Sequence, residues 1–267
     1  MIIIGEKLNS SISKAYEVIQ SRNESAIVRI AKAQVEHGAD FLDVNTAMLV
    51  DEAEALLWAV KTITEAVDCP IMVDTPNPDA ARYLYENVEL ENSIINSISL
   101  EPDRFEGMVE IALQYDTGVV AMPISPDGMP SNAEERIANS KELIAKFGER
   151  GISHDRIYVD VIAEAAGAAW EAPYASIQTA RALRSEFPDL HITAGVSNVS
   201  YGLPERGILN RAYLCCLMAN GMDSCIINPL NTQTMLQLRA CEAMLGQDEY
   251  CMEYITACRS AEDEDEI

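Results

Sequence analysis

Short apolar runs in this chain repeatedly finish on an acid or an amide: Phe41-Leu42-Asp43-Val44-Asn45, Ile71-Met72-Val73-Asp74, Ser93-Ile94-Ile95-Asn96, Ile157-Tyr158-Val159-Asp160, and the run from Ile192 to Ser197 and Asn198. Runs of this length and composition fit strands buried on both faces of a parallel sheet. Such a strand gains nothing from a polar group at its C-terminal end, whereas in α/β barrels that end of the sheet carries the active site. The pattern constrains fold and site together, toward an enzyme with an uncharged or weakly charged polar ligand.

Eight runs of this kind begin near Ile2, Phe41, Ile71, Ser93, Gly118, Ile157, Ile192 and Ser224. Between them lie stretches of helical period, among them Ser25 to His37, Asp51 to Val67, Ala133 to Phe147, Tyr174 to Phe187, Arg206 to Ala219 and Thr232 to Leu245. The pairs His37-Gly38, Phe147-Gly148, Asn220-Gly221 and Leu245-Gly246 read as helix ends, where glycine supplies a left-handed residue. Strands and helices alternating in this number predict an α/β fold, a closed (β/α)8 TIM barrel. An open doubly wound sheet fits less well, and neither a Gly-x-Gly-x-x-Gly turn nor a P-loop is present. The 267 residues, 48% hydrophobic, suffice for one large core. The barrel is expected over 1–259, followed by an acidic disordered tail over 260–267 that contains Glu262 to Glu266.

A net charge of −24 argues against sequence-independent binding to nucleic acid or to an anionic membrane. The start of the chain turns polar at Glu6 and Lys7 and lacks a secretory pattern, and no stretch approaches a membrane span, so a soluble cytoplasmic protein is expected. The seven cysteines form no Cys-x-x-Cys pair and read as reduced, mostly buried thiols, with no metal site. The adjacent Cys215 and Cys216 point in different directions from one helix. His37, His154 and His191 fall at a helix end or a strand start and read as non-catalytic.

Asp74, Asn96, Asp160 and Asn198 would project from strands three, four, six and seven onto one mouth. Together they offer acceptors for an N–H edge and amides that donate or accept, which suits a flat heterocycle with a guanidine-like edge. The alternative is that each caps the helix after its strand.

Gly5-Glu6-Lys7-Leu8-Asn9, Leu42-Asp43-Val44-Asn45, Val73-Asp74-Thr75, Ile95-Asn96-Ser97, Val159-Asp160 and Gly195-Val196-Ser197-Asn198-Val199-Ser200 occur in that order over nearly the whole chain, and Arg206 and Asn210 follow. This set resembles the pterin-binding, dihydropteroate-synthase-like methyltransferases that exchange a methyl group between tetrahydrofolate and a corrinoid protein. The resemblance implies that Asp74, Asn96 and Asp160 bind the pterin ring and that Asn198 addresses N5, as the catalytic residue. Glu6, Asn9, Asp43, Asn45, Ser197 and Arg206 would belong to the surrounding network, or else make core and loop hydrogen bonds. Lys7, Arg206 and Arg211 are candidates for the glutamate tail of folate. The resemblance further implies tetrahydrofolate or 5-methyltetrahydrofolate as substrate, cobalamin on a separate corrinoid protein as partner, no metal held by this chain, and a homodimer. A dihydropteroate synthase-like enzyme would need a basic anion site that is not evident near the sixth or seventh strand end, and a non-catalytic folate-binding barrel would keep the pocket without the transfer.

Overall fold

A computed structural model describes residues 1–265 of the chain, with side chains through Ala261. Eight strands, β1 (Ile2–Asn9), β2 (Phe41–Asn45), β3 (Ile71–Asp74), β4 (Ile94–Ile98), β5 (Gly118–Ala121), β6 (Ile157–Asp160), β7 (His191–Thr193) and β8 (Ser224–Ile227), form one parallel sheet in which β1 to β7 pair in sequence and β8 joins β1. The ring closes where Gly195 bridges Ile226, whose N–H donates to the Ala194 carbonyl at 3.0 Å. The result is a (β/α)8 barrel.

A helix follows each strand: α2 (Glu24–Glu36), α3 (Glu52–Thr64), α4 (Pro78–Asn87), α5 (Pro102–Gln114), α6 (Ala133–Glu149), α7 (Ala172–Glu186), α8 (Arg206–Met218) and α9 (Thr232–Met244). A short α1 (Ser13–Gln20) precedes α2, and α10 (Met252–Asp265) ends the described chain. Asn23, Asn77, Asn132 and Asn231 cap α2, α4, α6 and α9 by accepting a first-turn N–H. Pro78 and Pro102 open α4 and α5, where a missing N–H removes no helical bond.

Three expectations need correction. Gly148 lies inside α6, and Gly151, at φ 88°, takes the left-handed turn after it. Residues 260–265 have helical backbone as the end of α10, where a disordered tail was expected; residues 266 and 267 lie outside the described residues. Of the cysteines only Cys69, Cys225 and Cys241 are buried, and Cys216 is exposed. Cys215 does face away from its neighbour, toward Cys241 on α9 at 2.6 Å between sulfurs.

Strand periodicity divides the molecule into two apolar regions. Ile3, Leu42, Val44, Val73, Ile95, Val119, Val159 and Ile192 face outward and pack against the helices in the main core. The alternate residues Ile4, Met72, Ile94, Val120 and Tyr158 plug the bore, with Ile2, Phe41 and Ile226 against them. Each fully buried side chain of this size contributes about 1.5–3 kcal/mol by leaving water. Two positions further along these strands stand Glu6, Asp43, Asp74, Asn96, Met122, Asp160 and Asn228, and all of them line one cavity. The apolar plug thus becomes the floor of a polar chamber within one pleat.

Candidate active site

The chamber has a volume of about 820 Å³ and opens at the C-terminal end of the strands. Its buried polar groups include Asp43, Asp160 and Asn96, at 2%, 7% and 8% exposure; Asp74 and Glu6 are half-buried beside them. Asn96 Nδ2 donates to Asp43 Oδ1 at 3.3 Å, and Ser197 Oγ donates to Glu6 Oε2 at 2.9 Å. Burial disfavours the charged form of every acid here. It pushes Asp74 up to about 6, against the opposing effects of the Asn45 amide and the Arg104 charge. It pushes Asp160 up to about 6 as well, against the Ile162 N–H and Arg136. Asp43 is raised well above the usual range, by burial first and then by the neighbouring Asp74 charge. Glu6 is raised by burial and partly relieved by the Ser197 hydroxyl.

None of Asp74, Asn96, Asp160 or Asn198 caps a helix; the N-cap positions of α4, α5, α7 and α8 are Asn77, Glu101, Glu171 and Glu205. The capping alternative is therefore excluded for this set. Asp74 and Asp160 end β3 and β6, as expected, whereas Asn96, expected to end its run, lies within β4, which continues to Ile98. Asn198 lies beyond β7, in a 3-10 turn over Val196–Ser200, because β7 stops at Thr193 and the closing contact is made through Gly195. Its exposed amide lies back over Gly195, where a Cβ would come within 3.0 Å of Nδ2. Among the described residues that side chain makes no hydrogen bond of its own, and Asn198 lines the chamber.

The remaining candidates divide by what they touch. Asn9 Oδ1 accepts from Ser11, and Asn45 Oδ1 accepts from Ser10 Oγ and the Ala47 N–H, while hydrogen bonds from the Asn9 and Asn45 side chains also favour ionised Asp43 and Asp74. Asn9 also lines the chamber. Arg206 braces the turn that carries Asn198: Nη2 donates to Ser197 O at 2.8 Å, Nε donates to Ser200 Oγ at 3.0 Å, and the guanidinium lies 6.0 Å over the Tyr201 ring. Lys7 and Arg206 line the chamber. Arg211 does not, and packs instead beside Gly207. The three histidines sit at the opposite end of the barrel, at the end of α2, before β6 and at the start of β7; His191 stacks on Tyr158 at 4.5 Å and bonds Asp223 at 2.9 Å.

Two cations behind the acids were not anticipated. Arg104 on α5 holds Ser97 through Nε to its carbonyl and Nη2 to its hydroxyl, both at 3.0 Å, and its charge favours ionised Asp74. Arg136 on α6 lies behind Asp160. Arg136 did leave a signal, because it shares the buried face of α6 with Ser140, Leu143, Ile144 and Phe147, and a charge on an apolar stripe requires an internal partner. Asn210 Oδ1, on α8 at the chamber wall, is buried without a partner among the described residues.

The set can grip a planar ligand that presents N–H groups to buried carboxylates, with an amide above it at the mouth. Comparison with known proteins agrees in family and in fold. A family model described as pterin binding enzyme matches residues 5–228. The methylcorrinoid:tetrahydrofolate methyltransferase of Eubacterium limosum is 30% identical over 97% of this chain and 96% of its own length. Methionine synthase of Mycobacterium tuberculosis is 25% identical over 85% of this chain, which corresponds to 20% of that longer protein. Among solved structures, dihydropteroate synthase of Xanthomonas albilineans in complex with 7,8-dihydropteroate aligns with TM-score 0.67 at 18% identity, covering 91% of this chain and 93% of that one. That of Yersinia pestis aligns with TM-score 0.68 at 16% identity, covering 92% and 93%.

Proposed function

Because this chain belongs to the pterin-binding enzyme family, we propose that it is a methyltransferase that moves a methyl group between a corrinoid carried on a separate protein and N5 of tetrahydrofolate. The observation that carries the reading is the layered chamber: buried acceptors at Asp74 and Asp160 below, and an unengaged Asn198 amide at the mouth above. The amino and amide N–H groups of a pterin donate to the two carboxylates in charge-assisted bonds, with the Asn96 amide beside them. Partial neutralisation of the acids by Arg104 and Arg136 lets them ionise near neutrality without placing a cation in the ring's plane.

With its ring seated at that depth, the pterin turns N5 toward Asn198. Nδ2 donates to N5 when N5 carries a lone pair, and Oδ1 accepts when N5 is protonated, so one neutral side chain serves both states of the substrate. The corrinoid, when its carrier protein is docked, supplies the cobalt that gives or takes the methyl carbon. This chain's part is orientation: it holds N5 at an open mouth in line with the incoming group. Lys7 stands at the rim for the glutamate tail, while Arg206 is committed to the turn.

Two finer points complete the reading. A homodimer would cover the exposed Met244, Leu245, Tyr250 and Met252 at the junction of α9 and α10. Free cysteines suit a reducing compartment such as the cytoplasm. A dihydropteroate synthase-like activity is the weaker alternative, since it must hold a pyrophosphate and Arg206 is already engaged with Ser197 and Ser200.

Calorimetric titration with tetrahydrofolate and 5-methyltetrahydrofolate tests the site, and methyl transfer to a corrinoid protein tests the chemistry. Asn198→Ala is expected to lower the transfer rate by about a hundredfold or more while weakening folate binding by less than about tenfold. Equal losses in both would remove Asn198 from the chemical step, and binding without any transfer would identify a non-catalytic barrel.

A further inference from the structure

Arg136 is 1% exposed and heads the fully buried side chains by size. Its Nη1 donates to the Val161 carbonyl at 3.0 Å, the Ile162 carbonyl at 2.7 Å and Ser176 Oγ at 2.7 Å. Its Nη2 pairs with Glu164, and among the described residues Nε has no partner. A buried guanidinium with an unpaired donor costs stability that an apolar residue would not. What it holds is the backbone immediately after β6.

There Ile162 stands at φ 58°, a left-handed conformation that β-branched residues rarely adopt. That turn aims the Ile162 N–H at Asp160 Oδ1, 2.7 Å away. The second carboxylate oxygen has no protein partner among the described residues, and Asp160 lines the chamber. Ser176 Oγ bonds the same Ile162 carbonyl at 2.7 Å, so the turn is held from α6 and α7 at once.

We propose that Arg136 is a positioning residue: by clasping the two carbonyls after β6 it keeps the Ile162 N–H against one oxygen of Asp160 and leaves the other oxygen for the ligand. The ligand half of this statement rests on the pterin reading above; the clamp itself does not. The charged and titratable groups that face Asp160 are Arg136 from α6, with Glu164 behind it, Asp74 from β3 and Tyr213 from α8.

The test follows the Ile162 amide proton and the Asp160 carboxyl carbon by NMR across a pH titration of the full-length, ligand-free protein, alongside calorimetry with tetrahydrofolate. In the wild type the amide proton moves with the carboxyl. Arg136→Lys keeps the charge but loses the fork; the amide should cease to follow the carboxyl, and affinity should fall about tenfold. Adding Ile162→Gly, which accepts a positive φ without a clamp, should restore most of that affinity. An Arg136 that merely fills the core would give an amide that still tracks Asp160 and no recovery with glycine, and that result overturns the proposal. If Arg136→Lys does not fold, Ser176→Ala removes the hydroxyl shared by Arg136 and Ile162 without touching charge. The same uncoupling at smaller amplitude is then expected, and its absence is equally decisive. Failure of the wild type to bind tetrahydrofolate would sink the functional reading, while the NMR arm still decides on the clamp.

Discussion

β3 and β6 are built from nearly the same four residues, Ile71-Met72-Val73-Asp74 and Ile157-Tyr158-Val159-Asp160, and each sends its second residue into the bore and its fourth to the chamber. Burial raises both carboxyls to about 6. Their support differs. Asp160 is 7% exposed, held through its own backbone turn, with a fully buried arginine behind it. Asp74 is half-buried, and the arginine that favours its charge is half-buried and bonded to Ser97 rather than to the acid. A repeated strand motif therefore fixes where a carboxylate goes, while the helices behind it fix how firmly it is held.

The sharpest way to break this comparison is to remove each acid in turn. Asp160→Ala should abolish detectable tetrahydrofolate binding, a loss of more than about a hundredfold, because it deletes charge-assisted bonds made in a buried place. Asp74→Ala should cost nearer tenfold, since water reaches that position. Calorimetry distinguishes the two, and equal losses would show that depth does not matter.

A smaller effect is expected from pH. The ligand's N–H donors need ionised acceptors, and both acids ionise at about 6. Affinity should be level above pH 7 and fall as pH drops through 6, by up to about tenfold per unit for each carboxylate involved. In Asp74→Asn the slope should lose one proton, and a slope unchanged from the wild type would exclude Asp74 from the coupling.

The smallest effect concerns stability without ligand. A folded carboxyl at about 6, against an ordinary 3.8, contributes stability that is complete below 3.8 and is lost as pH rises through 6. At pH 7.5 the Asp160 charge therefore costs the folded state stability. Asp160→Asn, whose amide oxygen can still accept from Ile162, should raise unfolding stability by about 1–3 kcal/mol in urea at pH 7.5 and much less at pH 4. Asp74→Asn should raise it by less. A destabilised Asp160→Asn would mean that the clamped carboxylate is worth more to the fold than burial costs it.

Much of the fold was legible in advance because a strand buried on both faces leaves a continuous apolar run, and the eight expected strand starts match those found to within one residue. The polar ends of those runs were legible for the same reason: period two places Asp74, Asn96 and Asp160 directly above Met72, Ile94 and Tyr158. Asn198 was legible as a site residue but not as part of a turn, because a strand as short as β7 ends before its polar neighbours begin. Arg104 and Arg136 escaped notice because they stand 30 and 24 residues along the chain from the acids they serve, Asp74 and Asp160, and only folding brings them together.

By itself, then, the sequence determined the alternation of strand and helix, the inward set of acids and amides, and the family to which they belong, since these depend on local periodicity and short runs of residue type. Only the tertiary structure decided which acids are buried, where each pKa lies, that Asn198 is unengaged while Arg206 is committed, and that Arg136 stands behind Asp160. Burial, electrostatic coupling and hydrogen-bond competition are properties of groups distant in the chain, and no local pattern encodes them.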